Sequence, residues 1–154
     1  MAGVIRCESV NNSTISNLTI RGGLADNGGG IFIGRSEDVS FSNLTISENQ
    51  ASSFGGGIVM DYSYPNLSNI TISNNEAEKG GGIRSSFSVP SMINVIIKDN
   101  YAWDDGGGIF LKGTSGLMPP IFENVHITNN IAGDGGGGIY SWQYSNPIFN
   151  NVII

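Results

Sequence analysis

A single cysteine, Cys7, stands in 154 residues, so the chain can form no internal disulfide. Stability has to come from packing and hydrogen bonds. Charge is scarce as well: 13% of residues are Asp, Glu, Lys or Arg, about half the usual share of ~25%. The net charge of −6 argues against nucleic acid and anionic lipid, both of which attract clustered cations. No apolar run approaches the ~20 residues of a membrane span. The opening MAGVIRCESV lacks a basic stretch followed by an apolar one, so it does not read as a signal peptide. The chain is therefore expected to be a fragment trimmed from a longer repeat protein. With His126 as the one histidine, a His-based metal site within one chain is excluded. Helical periodicity is missing too, and the frequent Gly and Asn break helices.

Repetition is what the chain has instead. The phrase "GGGI" ends at Ile31, Ile58, Ile83, Ile109 and Ile139, at spacings of 27, 25, 26 and 30. A degenerate copy, "AGVI", ends at Ile5. A second landmark, the asparagine of phrases such as "NLTIS", falls at Asn17, Asn43, Asn69, Asn94, Asn124 and Asn151, at spacings of 26, 26, 25, 30 and 27. Two landmarks with one period define a true repeat. The long fourth spacing coincides with Lys112–Pro120, "KGTSGLMPP", which reads as an enlarged loop.

Each unit holds short β-rich runs, such as Ile31-Phe32-Ile33 and Ile70-Thr71-Ile72, bounded by Gly, Asn, Ser and Pro. Short strands and tight turns recurring every ~26 residues describe one coil of a parallel β-helix. The expectation is an all-β, right-handed solenoid of about five and a half coils, one domain over residues 1–154. Period-two alternation then assigns the faces. In the asparagine strand, Leu18, Leu44, Ile70, Val95, Val125 and Val152 point inward, followed by Ile20, Ile46, Ile72, Ile97, Ile127 and Ile154. In the glycine strand the isoleucines point inward, then Cys7, Ile33, Met60, Ser85, Leu111 and Ser141. The alanines Ala25, Ala51, Ala77, Ala102 and Ala132 line a corner. The asparagines Asn17 to Asn151 are expected to stack as a buried amide ladder, with a second ladder of Asn49, Asn75, Asn100 and Asn130 at the following turn. The Asn-x-Ser/Thr sequences, such as Asn69-Ile70-Thr71, are expected to be buried and unmodified for the same reason.

"GGGI" followed by Ile46–Asn49, Ile72–Asn75, Ile97–Asn100 and Ile127–Asn130 resembles the repeats of the polymorphic outer-membrane protein family, in which a GGA[ILV] phrase alternates with FxxN. The resemblance covers nearly the whole chain. It departs in using Ile for Phe and Gly for Ala, and the first copy, Ile20 to Gly23, lacks the Asn. More broadly the chain is similar to right-handed β-helix proteins of the pectin-lyase-like type. The resemblance implies a secreted or surface-displayed bacterial protein, such as an autotransporter passenger or adhesin.

That fold also hosts polysaccharide lyases and hydrolases. Polygalacturonase-type hydrolases carry NTD, DD, GHG and RIK motifs, and here only the DD occurs, at Asp104-Asp105. A lyase needs a basic residue beside bound calcium, and the seven Lys and Arg read as scattered among unrelated columns. No catalytic residue is assigned. A ridge of Asp26, Glu78, Asp104 and Asp134, five residues before the isoleucines, together with Asp105, could accept calcium through carboxylate oxygens. The outward column of the glycine strand, Arg6, Phe32, Val59, Arg84, Phe110 and Tyr140, is expected to form a shallow groove for a glycan or surface partner, with Trp142 beside it. His126 reads as a solvated surface histidine, and the Thr19, Thr45, Thr71 column as too short for an ice-binding array. The expected role is a non-enzymatic stalk or adhesin segment, with a polysaccharide-active enzyme as the rival. Open coil edges without a polar cap also predict end-to-end self-association.

Overall fold

The computed structural model describes residues 2–113 and 118–154. The middle of the enlarged Lys112–Pro120 loop lies outside them. Three parallel sheets run along the solenoid. The glycine sheet stacks Ile5–Glu8, Ile31–Gly34, Ile58–Asp61, Ile83–Ser86, Ile109–Lys112 and Ile139–Trp142. Its register pairs Ile83 with Ile58 below and Ile109 above. The asparagine sheet includes Glu37–Ser47, Tyr64–Ser73 and Ser91–Lys98. A third, short sheet at the corner stacks Leu24–Asn27, Gln50–Phe54, Glu76–Ala77, Tyr101–Ala102 and Ile131–Ala132. The chain makes about five turns, matching the period.

The inward columns close the core as alternation requires. Ile31, Ile33, Ile46, Ile58, Met60, Ile72, Ile83, Val95, Ile97 and Ile109 are all buried. So are the corner alanines Ala25, Ala51, Ala77 and Ala102. Burying one such Ile side chain contributes roughly 1.5–3 kcal/mol. The end coils depart from the expectation. Leu18 is 47% exposed and Ile154 68%, and Ser141 is exposed too. A residue in an end coil has a covering neighbour on one side only.

The asparagine ladders require a correction. The Asn17 series is linked rung to rung, as in Asn69 Nδ2 to Asn43 Oδ1 at 3.3 Å, but Asn17, Asn43, Asn69 and Asn94 are exposed. The Asn-x-Ser/Thr asparagines are therefore at the surface. The buried ladder is the other one, Asn49, Asn75 and Asn100, continued by half-buried Asn130. Local backbone explains the exchange. Asn43 and Asn69 are themselves left-handed (φ +54 for both), so their side chains leave a convex bend. Asn49 and Asn75 instead follow left-handed residues, Glu48 and Asn74, which turn the next side chain inward.

The glycines of "GGGI" belong to that buried ladder. A Cβ on Gly82 would lie 2.6 Å from the Gly108 carbonyl oxygen and 3.1 Å from Asn100 Nδ2. Gly80, two residues earlier, takes φ +68 to turn the corner, a conformation that costs glycine nothing.

Candidate functional site

Four outward positions recur in each coil of the glycine sheet. Relative to the isoleucine, they lie four before, one after, three after and four after. The third and fourth coils carry Phe54, Val59, Asp61, Tyr62 and then Lys79, Arg84, Ser86, Phe87. The fifth and sixth carry Asp105, Phe110, Lys112, Gly113 and then Gly135, Tyr140, Trp142, Gln143. The first position is held by the left-handed glycine that follows it, such as Gly55, Gly80 or Gly106. The last is left-handed itself at Arg35, Tyr62 and Phe87 (φ +50, +49 and +48). These bends fold the flanking side chains back over the sheet.

The consequence corrects the expected groove. Phe110 is only 3% exposed and Val59 only 1%. The Phe110 ring is stacked on Tyr140 with centroids 5.4 Å apart, and Lys79 Nζ lies 5.6 Å from its centroid. Phe32 is half-buried under the Arg6 guanidinium, 4.0 Å from its ring. Arg84 is half-buried against the Phe54 ring at 4.4 Å, with Asp61 at 3.7 Å. Its Nε is buried without a hydrogen-bond partner among the described residues. Burial pulls the Arg84 value down, and Asp61 and Tyr62 act against that. Of the expected groove residues, Arg6 and Trp142 remain well exposed, Trp142 at 45%. The sheet face is thus a self-covered layer of aromatic rings and paired charges.

Basic and acidic residues do converge there, contrary to the scattered placement expected from sequence. Lys79 Nζ lies 2.6 Å from Asp104 Oδ2 and 2.8 Å from Asp105 Oδ2. Bonds to Asp104 and then Asp105 raise the Lys79 value well above its ordinary one. The acidic ridge is shorter than expected. Asp104, Asp105 and Asp134 offer oxygens within 4.8 Å of one another. Asp26 instead accepts a hydrogen bond from Ser52 at 3.0 Å, and Glu78 is exposed outside the cluster. Three carboxylate oxygens are the chemistry calcium accepts, but the Lys79 ammonium already compensates two of them. His126 is exposed, as the alternation requires.

The edge made by the third and fourth positions, the right-hand edge, was singled out in the sequence at Trp142 but not at Phe87. Tyr62 and Phe87 stack with centroids 5.0 Å apart. Lys112 Nζ lies 5.0 Å from the Trp142 ring centroid and 5.8 Å from that of Phe87. The signal was available: Arg35, Tyr62, Phe87, Gly113 and Gln143 all stand four residues after a repeat isoleucine.

Residues 3–154 match the family described as right handed beta helix region, and the chain belongs to that family. No match was found among curated proteins. None was found among solved structures.

Proposed function

We propose that the chain is a structural segment of a secreted or cell-surface bacterial protein, a stalk or adhesin of the polymorphic outer-membrane type. In this reading the right-hand edge of the glycine sheet, where Tyr62 and Trp142 are exposed, contacts a glycan or surface partner. One observation carries the proposal. Seven of the chain's fourteen aromatic residues lie on this face and its two edges: Phe32, Phe54, Tyr62, Phe87, Phe110, Tyr140 and Trp142. Of these, Tyr62 and Trp142 are the exposed members. Aromatic rings with a polar rim suit sugar faces or a protein partner, because they bury area at low entropic cost. The continuous coil-to-coil register supports the structural half of the reading.

A second reading, a polysaccharide-active enzyme, is favoured by the Lys79–Asp104–Asp105 convergence beside Asp134. One experiment separates them: a glycan array run beside a lyase and hydrolase screen on the purified protein. Binding without turnover, lost in Tyr62→Ala/Trp142→Ala, is the expected result. Turnover that disappears in Asp105→Asn while binding persists would establish the enzyme instead. No binding to any glycan or cell surface would remove the adhesive half.

A further inference from the structure

The right-hand edge of the glycine sheet has a charge pattern found nowhere else on the described surface. Arg6 pairs with Glu8, Arg21 with Glu48, Lys79 with Asp104 and Asp105, Arg84 with Asp61, and Lys98 with Asp99. Among the described residues, that leaves Arg35 and Lys112 as the cations with no carboxylate partner. Both flank the same aromatic stack. Arg35 occupies the turn one coil below Tyr62, and Lys112 lies one coil above Phe87's strand, between that ring and Trp142. The sequence of groups along the axis is therefore cation, ring, ring, cation. With ~4.8 Å between coils, the two cations stand roughly 14 Å apart. In a chain of net charge −6, this one aromatic strip thus holds both of the described Lys and Arg residues that no carboxylate compensates.

Resting on the reading that this side of the solenoid binds a glycan, we propose that its ligand is an acidic oligosaccharide lying along the strip. Sugar faces stack on Tyr62 and Trp142, and carboxylate or sulfate groups meet Lys112 and Arg35. Lys112 is the stronger anchor, because exposed Glu37 and Asp38 follow Arg35 in the chain. Asp61, the nearest acid in the adjoining column, is turned to Arg84. A neutral glycan would use the rings and leave both cations unanswered. An acidic one answers both, and its repeating units follow a scaffold that itself repeats.

The test is calorimetric titration of the protein with three hexasaccharides. They are an oligomannuronate, a heparin-derived hexamer and neutral mannohexaose, which lacks the mannuronate carboxylates. An acidic hexamer is expected to bind about tenfold or more tighter than mannohexaose, with an advantage that falls as salt rises. Binding of oligomannuronate shows that carboxylates suffice, whereas binding of the heparin hexamer alone shows that sulfate is needed. Arg35→Gln/Lys112→Gln is expected to abolish the advantage with circular dichroism unchanged, and Tyr62→Ala/Trp142→Ala to weaken acidic and neutral sugars together. Equal binding of oligomannuronate, heparin hexamer and mannohexaose, unaffected by the charge variant, overturns the acidic class and leaves the glycan-binding reading standing. Absence of binding by all three overturns both. Acidic binding that survives both double variants places the site elsewhere and overturns this one.

Discussion

Asn75 Nδ2 donates to Asn100 Oδ1 one coil away, at 3.0 Å, while Asn75's own backbone N–H donates to the same oxygen at 3.0 Å. Asn75 also donates to the Ile46 carbonyl and accepts from both the backbone and the side chain of Asn49. Every polar atom of this buried amide is used. Asn75→Leu keeps the volume and strands several buried partners, each costing about 1–3 kcal/mol. The expected loss is about 3 kcal/mol or more, read from urea unfolding. Asn69→Gly, on the exposed ladder, is expected to change stability by less than about 1 kcal/mol, since glycine accepts its left-handed backbone. Equal losses in the two variants would show that the ladders are not different in kind.

Lys79 ties the fourth coil to the fifth through Asp104 and Asp105. Its value is raised in the folded protein, so the sign is fixed. The contribution is fully present below the unfolded lysine value of roughly 10.4 and is lost as pH rises through the folded one. Lys79→Met leaves buried Asp105 without its cation and is expected to cost about 1–3 kcal/mol at neutral pH. The stability gap between wild type and variant should hold steady up to about pH 10 and narrow above it. A gap that grows in alkali would contradict the pairing.

Gly82 sits against the Gly108 carbonyl and the Asn100 amide. Because both contacts belong to rigid groups, a methyl there cannot be accommodated by a side-chain swing. Gly82→Ala is expected to destabilise by about 1–3 kcal/mol despite alanine's lower backbone entropy cost. Gly22→Ala is the informative comparison. Its Cβ would meet nothing, so any loss there reports only the left-handed backbone at φ +72.

Phe110 and Trp142 occupy neighbouring outward columns but different environments. Phe110→Ala is expected to cost about 3 kcal/mol, the loss of a buried ring. Trp142→Ala is expected to cost less than about 1 kcal/mol and to act on ligand binding instead. Thermal melts of the two variants, followed by titration with the hexasaccharides, separate packing from recognition.

What the sequence determined by itself was the period and the inward columns. Isoleucines at a constant interval, with alternation of two, can be buried in register in one way only, and a slip of one residue would turn Ile46 and Ile72 to solvent. Alternation says which side of a strand a residue leaves, but nothing of what lies over it. That was decided by the turns. Left-handed residues at Glu48 and Asn74 swing Asn49 and Asn75 into the core, whereas Asn43 and Asn69 take that conformation themselves and face out. Both ladders look alike in one dimension. At the other corner the left-handed Gly80 and Gly106 bring Lys79 onto Asp104 and Asp105, residues 25 and 26 further along the chain, and lay it over Phe110. The outward face of the glycine sheet is therefore a tertiary product. Its composition is written in the repeat, and its covering depends on backbone turns whose direction the residue pattern does not specify.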